Sequence, residues 1–163
     1  MHGKGLFMWN SEANFDGDWQ HNKRTGQGVM TYKDGSTYTG GWENDRRHGQ
    51  GKMIWANGTE YEGAFDNDIR HGQGRYKWPN GCEYNGNWEQ GKRQGFGEIK
   101  YTDGSSYKGH FNNNLKDGKG IFTFADGSVY DGDWKDDLKN GQGTFKFKWS
   151  DGEFHANAEV PAQ

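Results

Sequence analysis

Three histidines share one position of an internal period and are the first candidates for metal chemistry. They are His2, His48 and His71, so each recurs at a multiple of 23 residues. If one period is a pair of antiparallel strands, equivalent positions lie about 9–10 Å apart, because each strand adds about 4.8 Å. A zinc ion needs its nitrogen ligands within about 2.0–2.1 Å. The spacing argues against a metal site, and we predict no metal.

Closely spaced carboxylates are the second candidates, because acid–base catalysis uses paired acids. The pairs are Asp16/Asp18, Glu60/Glu62 and Asp131/Asp133. In each pair the acids alternate along the strand with residues of an aromatic face, so the acids are expected to face solvent. The one cysteine, Cys82, has no evident base beside it. No Gly-x-Gly is followed by a third glycine at dinucleotide spacing. We therefore predict no catalytic residue, no cofactor and no enzyme.

A basic residue recurs at one position in six successive copies of the period. The members are Arg24, Arg47, Arg70, Arg93, Lys116 and Lys139. They lie in a polar segment between expected hairpins and should line one edge. One interpretation is a site for an acidic partner or phosphoinositide headgroups, worth about 1 kcal/mol per basic residue near an anionic surface. The other, which we favour, is a solvated segment offset by acids such as Asp45 and Asp68. The net charge of −3 gives no general attraction to nucleic acid.

The period itself is marked by seven Gly-x-Gly motifs at an unbroken spacing of 23 residues. They begin at Gly3, Gly26, Gly49, Gly72, Gly95, Gly118 and Gly141. Such a period indicates tandem structural units stacked on their neighbours. Most copies carry two alternating segments around Asp-Gly or Asn-Gly, which is typical of a β-hairpin. The segments between hairpins are too short for a crossover helix, so consecutive hairpins should be antiparallel neighbours.

Turn chemistry predicts the register of each hairpin. In the second copy, a type I turn with Gly35 as the left-handed residue of a G1 bulge pairs Tyr32 with Ser36 and Gly28 with Gly40. This register puts the aromatic side chains of that copy on one face. A two-residue loop would instead divide the rings between the two faces.

The composition fits a thin sheet rather than an ordinary core. Only 29% of the 163 residues are hydrophobic, 16% are aromatic, and 28 are glycine. Three glycines of each copy lie within strands, for example Gly26, Gly28 and Gly40, where each costs about 0.5–1 kcal/mol relative to alanine. We infer that the missing side chains make room for large rings that lie across the backbone.

The predicted fold is all-β: an elongated, single-layer, twisted antiparallel β-meander of about seven tandem 23-residue hairpins. The repeat array is expected over residues 1–155, and residues 156–163 are expected to be a frayed C-terminal tail. The first and last copies are atypical, which indicates either capping repeats or a piece of a longer array.

These motifs resemble the MORN (membrane occupation and recognition nexus) repeat family, whose pattern is Tyr-x-Gly-x-Trp/Phe followed by Lys/Arg-x-Gly-x-Gly. The resemblance covers residues 2–152. One full match combines Tyr38, Gly40 and Trp42 with Arg47, Gly49 and Gly51, and further copies begin at Tyr61, Tyr84, Tyr107 and Tyr130. The first copy departs from the pattern, with Phe15 in place of tyrosine and residues 10–14 in place of the Asp-Gly turn. The last copy has two extra residues before Asp151 and lacks the tyrosine motif.

The aromatic face is the main functional prediction. A single-layer sheet leaves this face uncovered, and large exposed apolar surfaces usually mark interaction sites. We expect an aromatic trough that binds an amphipathic helix or an extended segment of a partner protein. The predicted anchors are Tyr32, Tyr38, Trp42, Trp55, Tyr61, Trp78, Tyr84, Trp88, Tyr101 and Tyr107.

The resemblance implies a non-catalytic scaffold in a cytoskeletal, ciliary or membrane-associated assembly, sometimes with self-association. The alternatives are a peripheral adaptor that binds anionic phospholipid through the basic residues, and a regulatory module of a larger enzyme. Similar repeats accompany lipid kinases and lysine methyltransferases. One cysteine and the absence of an apolar leader favour a cytoplasmic location.

Overall fold

The computed structural model describes residues 1–9, 13–148 and 154–160, with side chains described as far as residue 148. Its strands are hydrogen-bonded in sequence order, each to the next. They are β1 (Gly3–Met8), β2 (Asn14–Gln20), β3 (Lys23–Thr31), β4 (Thr37–Glu43), β5 (Arg46–Ile54), β6 (Glu60–Asp66), β7 (Ile69–Lys77), β8 (Glu83–Glu89), β9 (Lys92–Lys100), β10 (Ser106–Asn112), β11 (Leu115–Thr123), β12 (Val129–Lys135), β13 (Leu138–Lys148) and β14 (Phe154–Val160). The predicted antiparallel β-meander of tandem hairpins is confirmed. No helix able to span a membrane occurs in these ranges.

The strands group into two compact units where the sequence indicated one array. The first unit comprises Met1–Pro79 with Trp88–Gly91, and the second comprises Asn80–Asn87 with Lys92–Gln163. The C-terminal tail also differs from the expectation of a frayed end at Ala156, because β14 pairs with β13 as far as Val160. The predicted departures at residues 10–12 and 151–152 lie outside the described residues.

The first turn of each copy has the predicted register. The Tyr32 amide donates to the Ser36 carbonyl at 2.9 Å, and the Gly35 amide donates to the Tyr32 carbonyl at 2.9 Å. Gly35 is left-handed, with φ of 86°. Gly28 is then opposite Gly40 in the β3–β4 ladder. The type I turn with a G1 bulge is confirmed, and with it the placement of this copy's rings on one face.

The polar segment between hairpins is a second tight turn rather than a loop. Asn44 and Asp45 are both left-handed, with φ of 48° and 70°, and β5 begins at the next residue. Two consecutive left-handed residues make a type I′ turn, whose twist matches that of the flanking strands. The basic residues predicted to lie in loops therefore lie in strands. Arg47, for example, is the second residue of β5 and pairs with Trp42.

The two glycines of each Gly-x-Gly motif are required for different reasons. The first is left-handed, as at Gly26 (φ of 60°) and Gly49 (φ of 72°). It opens a bulge at which the register passes from Gly40–Gly51 to Trp42–Arg47. A Cβ on Gly49 would meet nothing within 4 Å. The prediction that this first glycine makes room for a ring is therefore wrong, and backbone conformation is the cause.

The second glycine of the motif lies beneath a ring, as predicted. A Cβ on Gly51 would lie 2.5 Å from Cε2 and Cζ of Tyr38, whose side chain has no exposed surface. A Cβ on Gly28 would lie 2.5 Å from Cε2 of Phe15. In each case the ring comes from the preceding strand and lies flat across the glycine backbone.

These buried rings meet edge to face and form the core, which we call the ring spine. The Tyr38 centroid lies 5.2 Å from those of Trp42 and Phe65, with interplanar angles of 88° and 89°. Each such pair is worth about 0.5–1.5 kcal/mol beyond its burial. The spine comprises Phe15, Trp19, Tyr38, Trp42, Tyr61, Phe65 and Trp88 in the first unit, and Tyr84, Tyr107, Phe111, Tyr130 and Trp134 in the second.

The polar atoms of the spine are satisfied by backbone carbonyls. The Tyr38 hydroxyl donates to the Gly41 carbonyl at 3.0 Å. The Trp42 Nε1–H donates to the Gly28 carbonyl at 3.3 Å. Tyr61, Tyr84, Tyr107 and Tyr130 repeat the first bond, each to the carbonyl three residues ahead.

We expect Tyr38→Phe to lower the free energy of unfolding by about 0.5–1.5 kcal/mol, because the Gly41 carbonyl loses its donor while the ring stays in place. Phe15 is fully buried at the equivalent position, so a phenylalanine ring fits there. Urea unfolding of the two proteins measures the difference. If Tyr38→Phe lowered the free energy of unfolding as much as Tyr38→Ala, which removes the whole ring, the hydroxyl and the ring would not contribute separately as we expect.

Candidate protein-binding face

Six of the ten predicted anchors belong to the ring spine. Among them the tyrosines have no exposed surface, and Trp42 and Trp88 are 5% and 4% exposed. A buried ring cannot contact a partner in the folded chain, so their place in the spine indicates a structural role. These residues are Tyr38, Trp42, Tyr61, Tyr84, Trp88 and Tyr107.

The other four predicted anchors are half-buried and accessible. Each directly follows a strand and precedes the Asp-Gly or Asn-Gly turn. Three of them, Tyr32, Trp55 and Trp78, lie in the first unit, and we call them the turn-side ring row. Tyr101 occupies the same position in the second unit. The candidate site therefore narrows to the rings at the turn side of the aromatic face.

A groove of about 460 Å³ opens between the first two rings of the row. Met53 is one of its apolar lining residues and is itself 5% exposed. The groove is lined by Tyr32, Lys33, Asp34, Ser36, Arg47, Met53 and Trp55. Met53 was not among the residues predicted for this site. Its position two residues before Trp55, which places both side chains on the same face of the strand, was a usable signal. Rings, a thioether and flanking charges together suit a protein ligand.

Two polar atoms of the groove are available to a ligand. Among the residues that the structure describes, neither the Tyr32 hydroxyl nor the Trp55 Nε1–H donates to a protein acceptor, in contrast to the Trp42 indole. Burial raises the pKa of Tyr32, and the Arg47 charge partly opposes this effect. The hydroxyl therefore remains a protonated donor at neutral pH.

The basic residues lie on the aromatic face, and their charged groups stack on aromatic rings of the next copy. Arg24 Cζ lies 4.4 Å from the Trp42 centroid, and Arg70 Cζ lies 4.4 Å from that of Trp88. The Arg24 Nε also pairs with Asp45 at 3.2 Å. Stacking of this kind is worth about 0.5–2 kcal/mol per pair, depending on desolvation.

The same arrangement continues in the second unit. Lys116 Nζ lies 4.7 Å from the Trp134 centroid, and Lys139 Nζ lies 4.4 Å from that of Phe145. Burial lowers the pKa of Arg93, Lys116 and Lys139. Because the cations already contact rings and turns, the geometry favours a structural role for them. Lipid binding through this row stays a prediction.

The titratable residues singled out in the sequence are dispersed. Lys52 pairs with Glu60 at 3.1 Å, and Lys119 pairs with Asp133 at 2.8 Å, both as cross-strand pairs on the polar face. His48 Nδ1 lies 3.4 Å from an Asp66 oxygen. In the described ranges, no three His, Cys, Asp or Glu side chains are grouped as metal ligands.

The solved structures that align with the chain include two TCP domains. One is the wild-type TCP10 domain of Danio rerio CPAP in complex with a peptide of Danio rerio STIL, with a TM-score of 0.49, 15% identity, and coverage of 79% of this chain and 57% of that chain. The other is the Drosophila melanogaster SAS-4 (dCPAP) TCP domain in complex with a proline-rich motif of Ana2 (dSTIL), with a TM-score of 0.47, 14% identity, and coverage of 95% and 90%. The chain thus spans little more than half of the Danio rerio chain. No curated protein sequence matches it.

The family comparison matches the repeat pattern along most of the chain. The model of the MORN repeat matches six consecutive segments, residues 15–37, 38–60, 61–83, 84–106, 107–129 and 130–153. Five of these segments begin at a spine tyrosine and the first begins at Phe15, which is buried in the same position. Repeat, register and ring spine agree, and the chain belongs to the MORN repeat family.

Proposed function

We propose that this chain is a non-catalytic scaffold that binds segments of partner proteins along its turn-side ring row. The observation that carries the proposal is the open groove between Tyr32 and Trp55, where two donors lack acceptors within the described residues. The ring spine beneath holds the neighbouring strands in place, so the rings are presented with little freedom to lose on binding. Tyrosine, tryptophan and methionine are the residues that interface cores favour.

The spacing of the row favours an extended ligand in the polyproline II conformation. Equivalent rings of neighbouring copies are two strands apart, which is about 9.6 Å. A polyproline II segment repeats its face every three residues, or about 9.3 Å. An α-helix returns to one face after seven residues, or about 10.5 Å. A β-strand repeats its face at multiples of about 6.6 Å. Every third residue of a polyproline II segment laid across the strands would therefore meet a ring.

The hydrogen-bonding groups agree with this ligand. A polyproline II backbone makes no internal hydrogen bonds, so its carbonyls are free to accept. The Tyr32 hydroxyl and the Trp55 Nε1–H are the donors that would meet them. Proline-rich segments bind aromatic-lined grooves in this way at low conformational cost.

The double substitution Trp55→Ala with Trp78→Ala tests the site. Because each anchor ring is worth at least about 2 kcal/mol, we expect at least a 100-fold weaker affinity, roughly, for a labelled peptide with repeated Pro-x-x-Pro spacing. Fluorescence anisotropy measures binding, and circular dichroism checks the fold. Phe96→Ala is the matched control, because Phe96 is an exposed ring on the opposite face. The Phe96→Ala variant should bind the peptide with the affinity of the unmodified chain.

Unchanged peptide affinity in a folded double variant would remove the ring row as the binding site. Tighter binding of an amphipathic helical peptide than of the Pro-x-x-Pro peptide would replace the extended ligand with a helix. Self-association, a cytoskeletal or ciliary assembly and a cytoplasmic location stay predictions that follow from the family resemblance and the composition.

A further inference from the structure

Most type I′ turns supply a side-chain oxygen to the basic residue of the preceding copy. Asp45 Oδ1 accepts a hydrogen bond from the Arg24 backbone amide at 2.9 Å and another from Arg24 Nε at 3.2 Å. Asp68 Oδ1 accepts the same two bonds from Arg47, at 2.9 and 3.0 Å. In both copies a backbone amide and a guanidinium group together hold one carboxylate oxygen.

The second unit repeats the bond to the backbone amide. Asn114 Oδ1 accepts from the Arg93 amide at 2.8 Å, and Asp137 Oδ1 accepts from the Lys116 amide at 2.9 Å. The acceptor is an amide oxygen in one case and a carboxylate oxygen in the other. An oxygen at this position is therefore a recurring part of the repeat.

Arg70 has the donors of this arrangement without the acceptor. The equivalent turn residue is Gly91, which has no side chain. Gly91 keeps the backbone part of the link, because its amide donates to the Arg70 carbonyl at 3.0 Å and its carbonyl accepts from Arg70 Nη2 at 2.9 Å. In the part of the chain that the structure describes, neither the Arg70 amide nor Arg70 Nε has an acceptor. The guanidinium is held in place, since it stacks on Trp88 at 4.4 Å.

The turn at Gly91 leaves room for an acceptor. Its φ of 77° is close to the 70° of Asp45 and the 72° of Asp68, so the backbone has the same conformation in all three turns. Among the described residues outside its own turn, a Cβ on Gly91 would meet only Ile69 Cγ2, at 3.7 Å, which is an ordinary van der Waals distance. The missing acceptor is therefore a matter of one side chain and not of a different fold.

We propose that Arg70 is a binding site for a carboxylate group, supplied by an aspartate or glutamate side chain of a partner protein. One carboxylate oxygen takes the position of Asp45 Oδ1 and Asp68 Oδ1 in the preceding copies and accepts from the Arg70 amide and Nε. Asp45 and Asp68 also neutralise their arginines, whereas within the described ranges no acid is paired with Arg70. A charged acceptor is favoured for this reason, because charge-assisted bonds are the stronger ones.

This site is separate from the turn-side ring row. Arg70 is the second residue of β7 and lies beside a type I′ turn, whereas Trp78 follows the other end of β7 and precedes the Asn-Gly turn. A carboxylate at Arg70 therefore adds a second contact to the proposed scaffold. Either contact can fail a test without the other.

The test follows the backbone amide resonances of the isotopically labelled full chain by nuclear magnetic resonance. Sodium acetate, which models an acidic side chain, is titrated against sodium chloride at equal ionic strength, so that screening is the same in both series. We expect acetate to shift the Arg70 amide downfield and to saturate, because the amide gains a charged acceptor. The Arg47 amide should keep its position, since Asp68 already occupies it.

Three substitutions check the position of the site. Gly91→Asp supplies the acid from within the chain, so the Arg70 amide should resonate downfield without acetate and should no longer respond to it. Gly91→Ala is the matched control, because it has the same left-handed backbone without an acceptor and should keep the response. Asp68→Gly should create the response at the Arg47 amide. This last variant tests the arrangement even if a side chain at residue 91 disturbs the turn.

A peptide distinguishes a protein side chain from a free carboxylate. The capped peptide Gly-Gly-Asp-Gly-Gly should produce the acetate response, and the same peptide with asparagine should not. A response to acetate but not to the aspartate peptide would overturn the assignment to a partner side chain. An equal response to chloride, or a larger one to inorganic phosphate, would overturn the carboxylate. A response that persists in folded Gly91→Asp would overturn the site itself.

Discussion

Gly51→Ala is expected to lower the free energy of unfolding by about 3–5 kcal/mol, the cost of losing a large core ring. The added methyl would lie 2.5 Å from Cε2 and Cζ of Tyr38. The ring cannot step aside, because it is fully buried with edge-to-face contacts to Trp42 and Phe65. Expelling it removes those contacts together with the hydroxyl bond to Gly41. Urea unfolding followed by tryptophan fluorescence measures the loss.

Two substitutions serve as controls because the chain repeats the motif with different surroundings. Gly5→Ala is at the equivalent position without a ring, and we expect a change within about 0.5 kcal/mol. Gly49→Ala meets no atoms but has a left-handed backbone, so it should cost about 1–2 kcal/mol. If all three substitutions had the same effect, backbone propensity and not ring packing would explain the glycines.

Alkaline unfolding is the second large effect that we expect. Burial raises the pKa of Tyr38 from 10.0 to about 12, and that of Tyr84 likewise to about 12. A folded-state pKa above the unfolded one means that the folded state favours the neutral phenol. The stability is therefore fully present below about pH 10 and is lost as the pH rises through about 12. Both tyrosines contribute to that loss in the same direction.

The measurement is the free energy of urea unfolding at a series of pH values between about 9 and 12, with tyrosinate absorbance recorded on the folded protein. Tyr38→Phe should reduce the slope, because one buried phenol no longer titrates. The burial that raises the pKa of Tyr61, Tyr107 and Tyr130 acts in the same direction. Full ionisation near pH 10 without loss of stability would show that the spine tyrosines are accessible to water.

The sequence predicted the repeat, the hairpin register and the shared aromatic face because each depends on local chemistry. Gly35 needs a left-handed backbone in a type I turn, and that one requirement determines which residues face each other. The division of rings into buried and accessible rows was not predictable in the same way. Tyr38 and Trp55 follow the same two-residue alternation and lie on the same face of the sheet. Only the direction in which the Tyr38 ring leans, across Gly51, distinguishes them.

The polar segments differ from the prediction for another reason. Their composition indicates loops, whereas in the structure the alternation of faces continues beyond Gly49. Continued by two residues, it places Arg47 on the aromatic face, where its Cζ lies 5.3 Å from the Phe65 centroid. The consecutive Asn44 and Asp45 were a usable signal for a type I′ turn, because both residues tolerate left-handed conformations.

Hydrogen bonds that run from each type I′ turn to the strand after the preceding turn make the repeats interchangeable. The Asp45 amide donates to the Arg24 carbonyl, and the Asp68 amide donates to the Arg47 carbonyl, so each link joins residues 21 apart. Every internal copy receives one such link from the next copy and gives one to the previous copy. Removing or duplicating a whole 23-residue copy would leave each of these links with an equivalent partner. Evolution can therefore lengthen or shorten this protein in steps of one repeat, without redesign of what remains.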